Sequence, residues 1–260
     1  MIEDLVSVWA GPPGGEPLVA RHADRTHYAA STMKLPLVVA AYRLHERGVL
    51  DLDAPVKVHN EHRSAYDGST FSLDQDDDQD DATWDRIGDE VDLRTLARHA
   101  IVHTGNLATD LVLEHVGVAE VAAVLRDAGC SSATVLPRGI GDAAAREHGL
   151  DNLVTAADLA RVMSGVAQRS LASASTCEQV EAVLADQQHR DQVPAGLPAG
   201  TYVANKTGWV DGVAHDVALV RPDDRPPYVI AVCTSADAPE QTLYGANAAV
   251  SREVWERWHG

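Results

Sequence analysis

Ser31 and Lys34 stand three residues apart at the head of an apolar run, Leu35-Pro36-Leu37-Val38-Val39-Ala40-Ala41-Tyr42-Arg43-Leu44. In a helix, residues i and i+3 share a face. The spacing therefore sets a hydroxyl beside an amine. A serine hydroxyl attacks a carbonyl once a base takes its proton. A lysine is such a base when desolvation or a neighbouring cation lowers its pKa. Free N–H groups at a helix start favour developing negative charge. Together these point to acyl transfer through a serine ester. The plain alternative makes Ser31 a helix cap and Lys34 a solvated first-turn residue.

The run 35–44 predicts a buried helix, with Pro36 in its first turns, where a missing N–H costs least. Two distant stretches add polar groups. Thr104-Gly105-Asn106 falls between two helical patterns, 91–103 and 107–117. Lys206-Thr207-Gly208 sits at the end of a strand-like segment, 201–207. Further strands are predicted over 5–10, 17–22, 213–220 and 228–234. Further helices are predicted over 119–125, 155–163, 173–187 and 239–258, with Thr155 a good N-cap.

The order and separation of these three stretches resemble the penicillin-recognising serine hydrolases, above all class A β-lactamases and the related D-Ala-D-Ala peptidases. Ser31-Thr32-Met33-Lys34 and Lys206-Thr207-Gly208 match the first and third motifs fully. The second motif, Ser-Asp-Asn or Ser-x-Asn in the family, begins with threonine here. The resemblance covers nearly the whole chain. It implies an α/β (α+β) fold, an antiparallel sheet flanked by helices plus an all-helical subdomain. Residues 1–28 and 197–260 would form the α/β part and 29–196 the helical part of one continuous domain. The site would lie between them.

The resemblance also implies roles. Ser31 is the nucleophile, with Lys34 the nearest base. Thr104 relays a proton to the leaving nitrogen. Asn106 holds Lys34 and a substrate amide. Lys206 and Thr207 attract a substrate carboxylate. Gly208 completes that stretch, and the backbone N–H groups of Ser31 and Trp209 hold the oxyanion. Asp216 is structural. The partner is a small carboxylate-bearing molecule, β-lactam or peptide-like.

One segment departs from the pattern. Class A β-lactamases carry Glu-x-x-Leu-Asn in the region of 137–154, and its Glu activates the water that releases the acyl group. The motif is absent. Its Glu position falls near Ile140, and neither Asp142 nor Glu147 is assigned as the base. The expectation is that β-lactams acylate Ser31 and leave slowly. A second reading is a retired relative that binds such a ligand without turnover. The family also places a helix before the first hairpin. No room remains for one, so one face of the sheet would lose part of its cover, or the C-terminal helix would cover it alone.

The 260 residues allow a sizeable core, and the net charge of -18 argues against nucleic acid and anionic membranes as partners. Three scattered cysteines, Cys130, Cys177 and Cys233, predict free thiols. Residues 1–10 lack the pattern of a signal peptide, and no stretch is long enough to span a bilayer. The chain as given thus reads as cytoplasmic, or as exported if a leader has been removed. No cofactor is implied. Metal binding is not predicted: His99 and His103 lack a third ligand at a convincing spacing, and His59-Asn60-Glu61-His62 is not a His-Glu-x-x-His helix. The acidic run 74–81 fails the EF-hand pattern and reads as a mobile, solvated loop. In relatives this region borders the site mouth, which makes Tyr66 or Trp84 a candidate substrate contact.

Overall fold

Along the central strands, apolar side chains divide by parity between two cores. This is the pattern of a sheet covered on both faces. The computed structural model describes residues 5–260. It places β1 (Val6–Gly11) and β2 (Val19–Arg21) early. Three longer strands, β3 (Tyr202–Val210), β4 (Val213–Arg221) and β5 (Tyr228–Ser235), come late. The sheet order is β2-β1-β5-β4-β3, every pair antiparallel. In β4, Val217 and Leu219 join one apolar cluster while Ala218 and Val220 join the other. In β5, Val229, Ala231 and Cys233 face the first cluster, and Tyr228, Ile230 and Val232 the second.

The chain between the early and late strands is largely helical: α1 (Lys34–Glu46), α2 (Leu93–Val102), α3 (Asn106–Val116), α4 (Val118–Asp127), α5 (Ala156–Ala167) and α6 (Ala174–Ala185). Helix α1 is buried on nearly every side, as its unbroken apolar run requires. It packs against all five others. Helix α5 lies on β1, β4 and β5. On the opposite face α7 (Glu240–His259) buries Val250 and Val254 against Val6, Val8 and Ala10. The turn at Pro194–Gly196 packs on α7 and shares in covering that face.

This is the mixed α/β architecture that the sequence predicts. Thr155 caps α5 by accepting from Asp158 N at 3.0 Å, and Asp92 caps α2 by accepting from Thr95 N at 2.8 Å. Strand β3 runs past the predicted end at 207, because its partner β4 extends the ladder to the Val210–Val213 pair. Lys206-Thr207-Gly208 therefore lies inside a strand. The three cysteines are free, with Cys177 and Cys233 buried. No described helix is long and apolar enough to cross a membrane.

Candidate active site

Ser31 occupies a single 3-10 turn, Ala30–Met33, that runs directly into α1. It is 7% exposed and lines a cavity of about 790 Å³ together with Thr104, Asn106 and Trp209. Lys34, the first residue of α1, is fully buried. Its Nζ donates to Thr104 O at 2.5 Å and to Asn106 Oδ1 at 2.8 Å. Lys206, also fully buried, donates to Thr104 Oγ1 at 3.1 Å and to Thr207 O at 2.6 Å. Two amines from opposite ends of the chain thus hold one threonine by its carbonyl and its hydroxyl. Thr104 adopts φ 63°. A β-branched residue in that left-handed region is strained, at a cost on the order of 1–3 kcal/mol.

Burial governs the charges. It pushes Lys34 down to about 7, against the opposing pull of Asp78, Asp110 and Asp80. It also pushes Lys206 well down, helped by the Lys34 charge and opposed by Asp216. Asp216 is itself pushed up to about 7 by burial, although Asn205 Nδ2 and Val193 N–H each donate to it at 3.0 Å.

Gly208 and Trp209 lie where β3 passes the Ser31 turn. Gly208 has no side chain to hold the two backbones apart, and a Cβ there would meet the Ser31 and Thr32 amide nitrogens. Thr207 faces inward: its hydroxyl accepts from Gln192 Nε2 at 2.6 Å and reaches His215 O at 3.3 Å.

The acidic run contributes parts that the sequence reading missed. Asp78 accepts from Asn106 N and Leu107 N, both at 2.8 Å, and so caps α3 with both carboxylate oxygens. Asp80 is buried beneath Gly105. The segment is built in at these points, not simply solvated. A capping residue 28 positions from its helix leaves no local signal.

Segment 137–154 folds tightly. Arg138 pairs with Asp151 at 2.7 Å across its base. Buried Asp110, on α3, accepts from Ile140 N at 2.8 Å and Gly141 N at 3.2 Å. Ile140, Gly141 and Arg146 face the cavity. Asp142 does not: it accepts from Ser64 Oγ at 2.8 Å, Ala65 N at 2.7 Å and Ala145 N at 3.0 Å. Glu147 is exposed outside the cavity. Both aromatic candidates are engaged elsewhere. Tyr66 stacks on His148 at 3.8 Å, and Trp84 Nε1 donates to Asp78 at 2.8 Å. Tyr28 and Trp209 line the cavity instead.

A model of the β-lactamase enzyme family matches residues 4–258. The chain belongs to this family. A β-lactamase of Citrobacter koseri is 28% identical over 190 residues, which cover 65% of this chain and 59% of that protein. The match thus spans less than two thirds of the relative. Among solved structures, a β-lactamase from Sphaerobacter thermophilus superposes with a TM-score of 0.83 at 24% identity, covering 98% of this chain and 90% of that one. The structure called PBP-A gives 0.81 at 20% identity, covering 98% and 89%. An ancestral class A β-lactamase gives 0.81 at 23%, covering 97% and 94%. At these identities the structural likenesses speak for the fold.

Proposed function

We propose that this member of the β-lactamase family is a serine hydrolase that opens an amide, β-lactam or ester bond through an acyl-enzyme on Ser31. The observation that carries this reading is the pair of buried amines, Lys34 and Lys206, meeting on Thr104 beside Ser31. Lys34, pushed down to about 7, is substantially neutral near pH 7 and takes the Ser31 proton. Ser31 Oγ then bonds to the carbonyl carbon, and the oxyanion lies between the Ser31 and Trp209 amides. Thr104 Oγ1 passes a proton to the leaving nitrogen or oxygen, and that bond breaks. Asn106 holds Lys34 and an amide of the substrate. Lys206, in its protonated form, draws a substrate carboxylate, and Thr207, with its hydroxyl taken by Gln192 and His215, fixes the strand.

Release of the acyl group needs a base for water. The 137–154 segment offers Ile140 and Gly141 to the cavity and no carboxylate, which supports slow hydrolysis. The same feature favours a second reading, a binder without turnover. A single-residue variant of PBP-A has been solved as an acyl-enzyme with penicillin G, and penicillin G is the natural first probe here. Intact mass should rise by one whole penicillin, with the adduct on Ser31 and none in Ser31→Ala. Reversible binding with no adduct would establish the binder instead.

A further inference from the structure

The structure supplies the third donor that the His99 and His103 spacing lacks. His99 lies in the last turn of α2, and His103, one turn on, is its C-cap. Asp80, just before the single helical turn Asp81–Trp84, brings Oδ1 to 2.9 Å from His103 Nδ1 and Oδ2 to 3.3 Å from His99 Nδ1. The three donor atoms lie within 4.8 Å of one another. The Asp80 side chain is fully buried, while the His99 and His103 side chains are 19% and 25% exposed. Thr83 Oγ1 donates to Asp80 Oδ2 and lies 2.9 Å from His99 Nδ1.

We infer that Asp80, His99 and His103 form a binding site for a divalent transition-metal ion, with zinc the best fit. Two imidazole nitrogens and one carboxylate oxygen are a zinc donor set, and bonds of about 2.0–2.2 Å in a tetrahedron put donors on the order of 3.4 Å apart. The Asp80–histidine separations, one to each carboxylate oxygen, are close to that, and a small rotation of the carboxylate sets one oxygen toward both rings. Calcium is a poor fit, since it takes oxygen ligands throughout. The partly exposed rings give an ion an entry path from solvent. The Thr83 hydroxyl stays on the carboxylate as its outer partner, the kind of support that metal-bound carboxylates have.

A second cluster, His59, His62 and Glu114, is less well built. Glu114 contacts both rings, but His62 Nε2 is buried without a partner. A metal-bound histidine almost always has its second nitrogen hydrogen-bonded. The Asp80 site also has a consequence for the rest of the molecule. A Cβ on Gly105 would lie 2.6 Å from Asp80 Oδ2. The carboxylate therefore packs directly under the turn that carries Thr104 and Asn106, and an ion fixed there stiffens that turn from behind, outside the cavity.

Equilibrium dialysis of the chelator-stripped full chain against zinc should give one ion per chain. His99→Gln and His103→Gln should each weaken binding by at least about tenfold, with folding checked by circular dichroism, and His59→Gln should change nothing. Labelling of the wild type with diethylpyrocarbonate needs no variant: zinc should protect His99 and His103 and leave His59 reactive. No stoichiometric zinc, binding that survives both substitutions, or unchanged labelling of His99 and His103 would overturn the inference, as would loss of binding in His59→Gln alone.

Discussion

A Cβ placed on Gly208 would lie 2.7 Å from the amide nitrogen of Ser31 and 2.8 Å from that of Thr32. Both are backbone atoms, in a turn continuous with the buried helix α1, and neither can rotate away. Gly208→Ala must therefore move β3 off the Ser31 turn and carry the Trp209 amide with it. If these amides hold the oxyanion, acylation by a fluorescent penicillin in stopped flow should slow by about 10²–10³. A variant that folds and acylates at the wild-type rate would remove the Trp209 amide from the mechanism.

The acylation rate should follow the ionisation of Lys34. Its amine is pushed down to about 7 by burial. As a base it works only when neutral, so the rate should be flat above about pH 7 and fall tenfold per pH unit below it. Lys34→Arg keeps the charge, cannot lose its proton near neutral pH, and should not be acylated. A single inflection near the ordinary lysine value would mean that burial does not tune this amine.

Ile140 faces the cavity at the position where the family resemblance leads one to look for a glutamate. Its N–H is tied to Asp110, so the backbone there stays anchored when the side chain changes. Ile140→Glu should shorten the lifetime of the penicilloyl adduct by about a hundredfold, the low end of what one positioned base contributes. The half-life of the adduct in intact-mass time courses measures this. An unchanged half-life would place the block to deacylation elsewhere.

The parts legible in the sequence were those with local signals. The apolar run after Ser31 announced α1, the β4 and β5 runs announced strands, and Thr155 announced a cap. The three motif stretches also stood out, since each has its own residue pattern. Groups whose role depends on a partner far along the chain were not legible. Asp78 and Asp80 were two acids among many until α3 and the Thr104 turn came to lie on them. Asp110 looked like an ordinary helix residue, yet it anchors the 137–154 segment by two amides. Asp142 was an obvious acid near the missing glutamate, but three hydrogen bonds turn it into a cap facing away from the cavity.

Asp74, Asp76, Asp77, Asp211 and Glu240 all border the cavity, and Arg146 is the one cation among its lining residues. A substrate side chain with a second negative charge meets this rim unfavourably, while an ammonium group is attracted. Ampicillin should therefore acylate Ser31 about tenfold faster than carbenicillin at low ionic strength. The gap should narrow at about 1 M salt, where the Debye length shrinks to about 3 Å. Equal rates at low salt would show that the rim does not sense the acyl side chain.

His215 is buried with its tautomer fixed: Nδ1 accepts from Thr234 N at 3.2 Å and Nε2 donates to Tyr28 O at 2.8 Å. Burial pushes its pKa down to about 4, although the hydrogen bonds to Tyr28 and Ala214 favour the proton. The unfolded chain takes up this proton near 6.5, and the folded chain does so only near 4. Its contribution to stability is therefore full above about pH 6.5 and is lost as pH falls toward 4, by about 1.4 kcal/mol per unit. His27, 5.3 Å away edge-on, is pushed down to about 3 and acts in the same direction. Asp216, pushed up to about 7, acts in the opposite one. The His215 part is thus read as a difference. Urea unfolding between pH 6.5 and 4 should show His215→Gln, less stable overall, with a pH slope smaller by about 1.4 kcal/mol per unit than the wild type. Parallel slopes would mean that His215 is protonated in the folded state, and the bond from Thr234 N–H to its ring could not exist there.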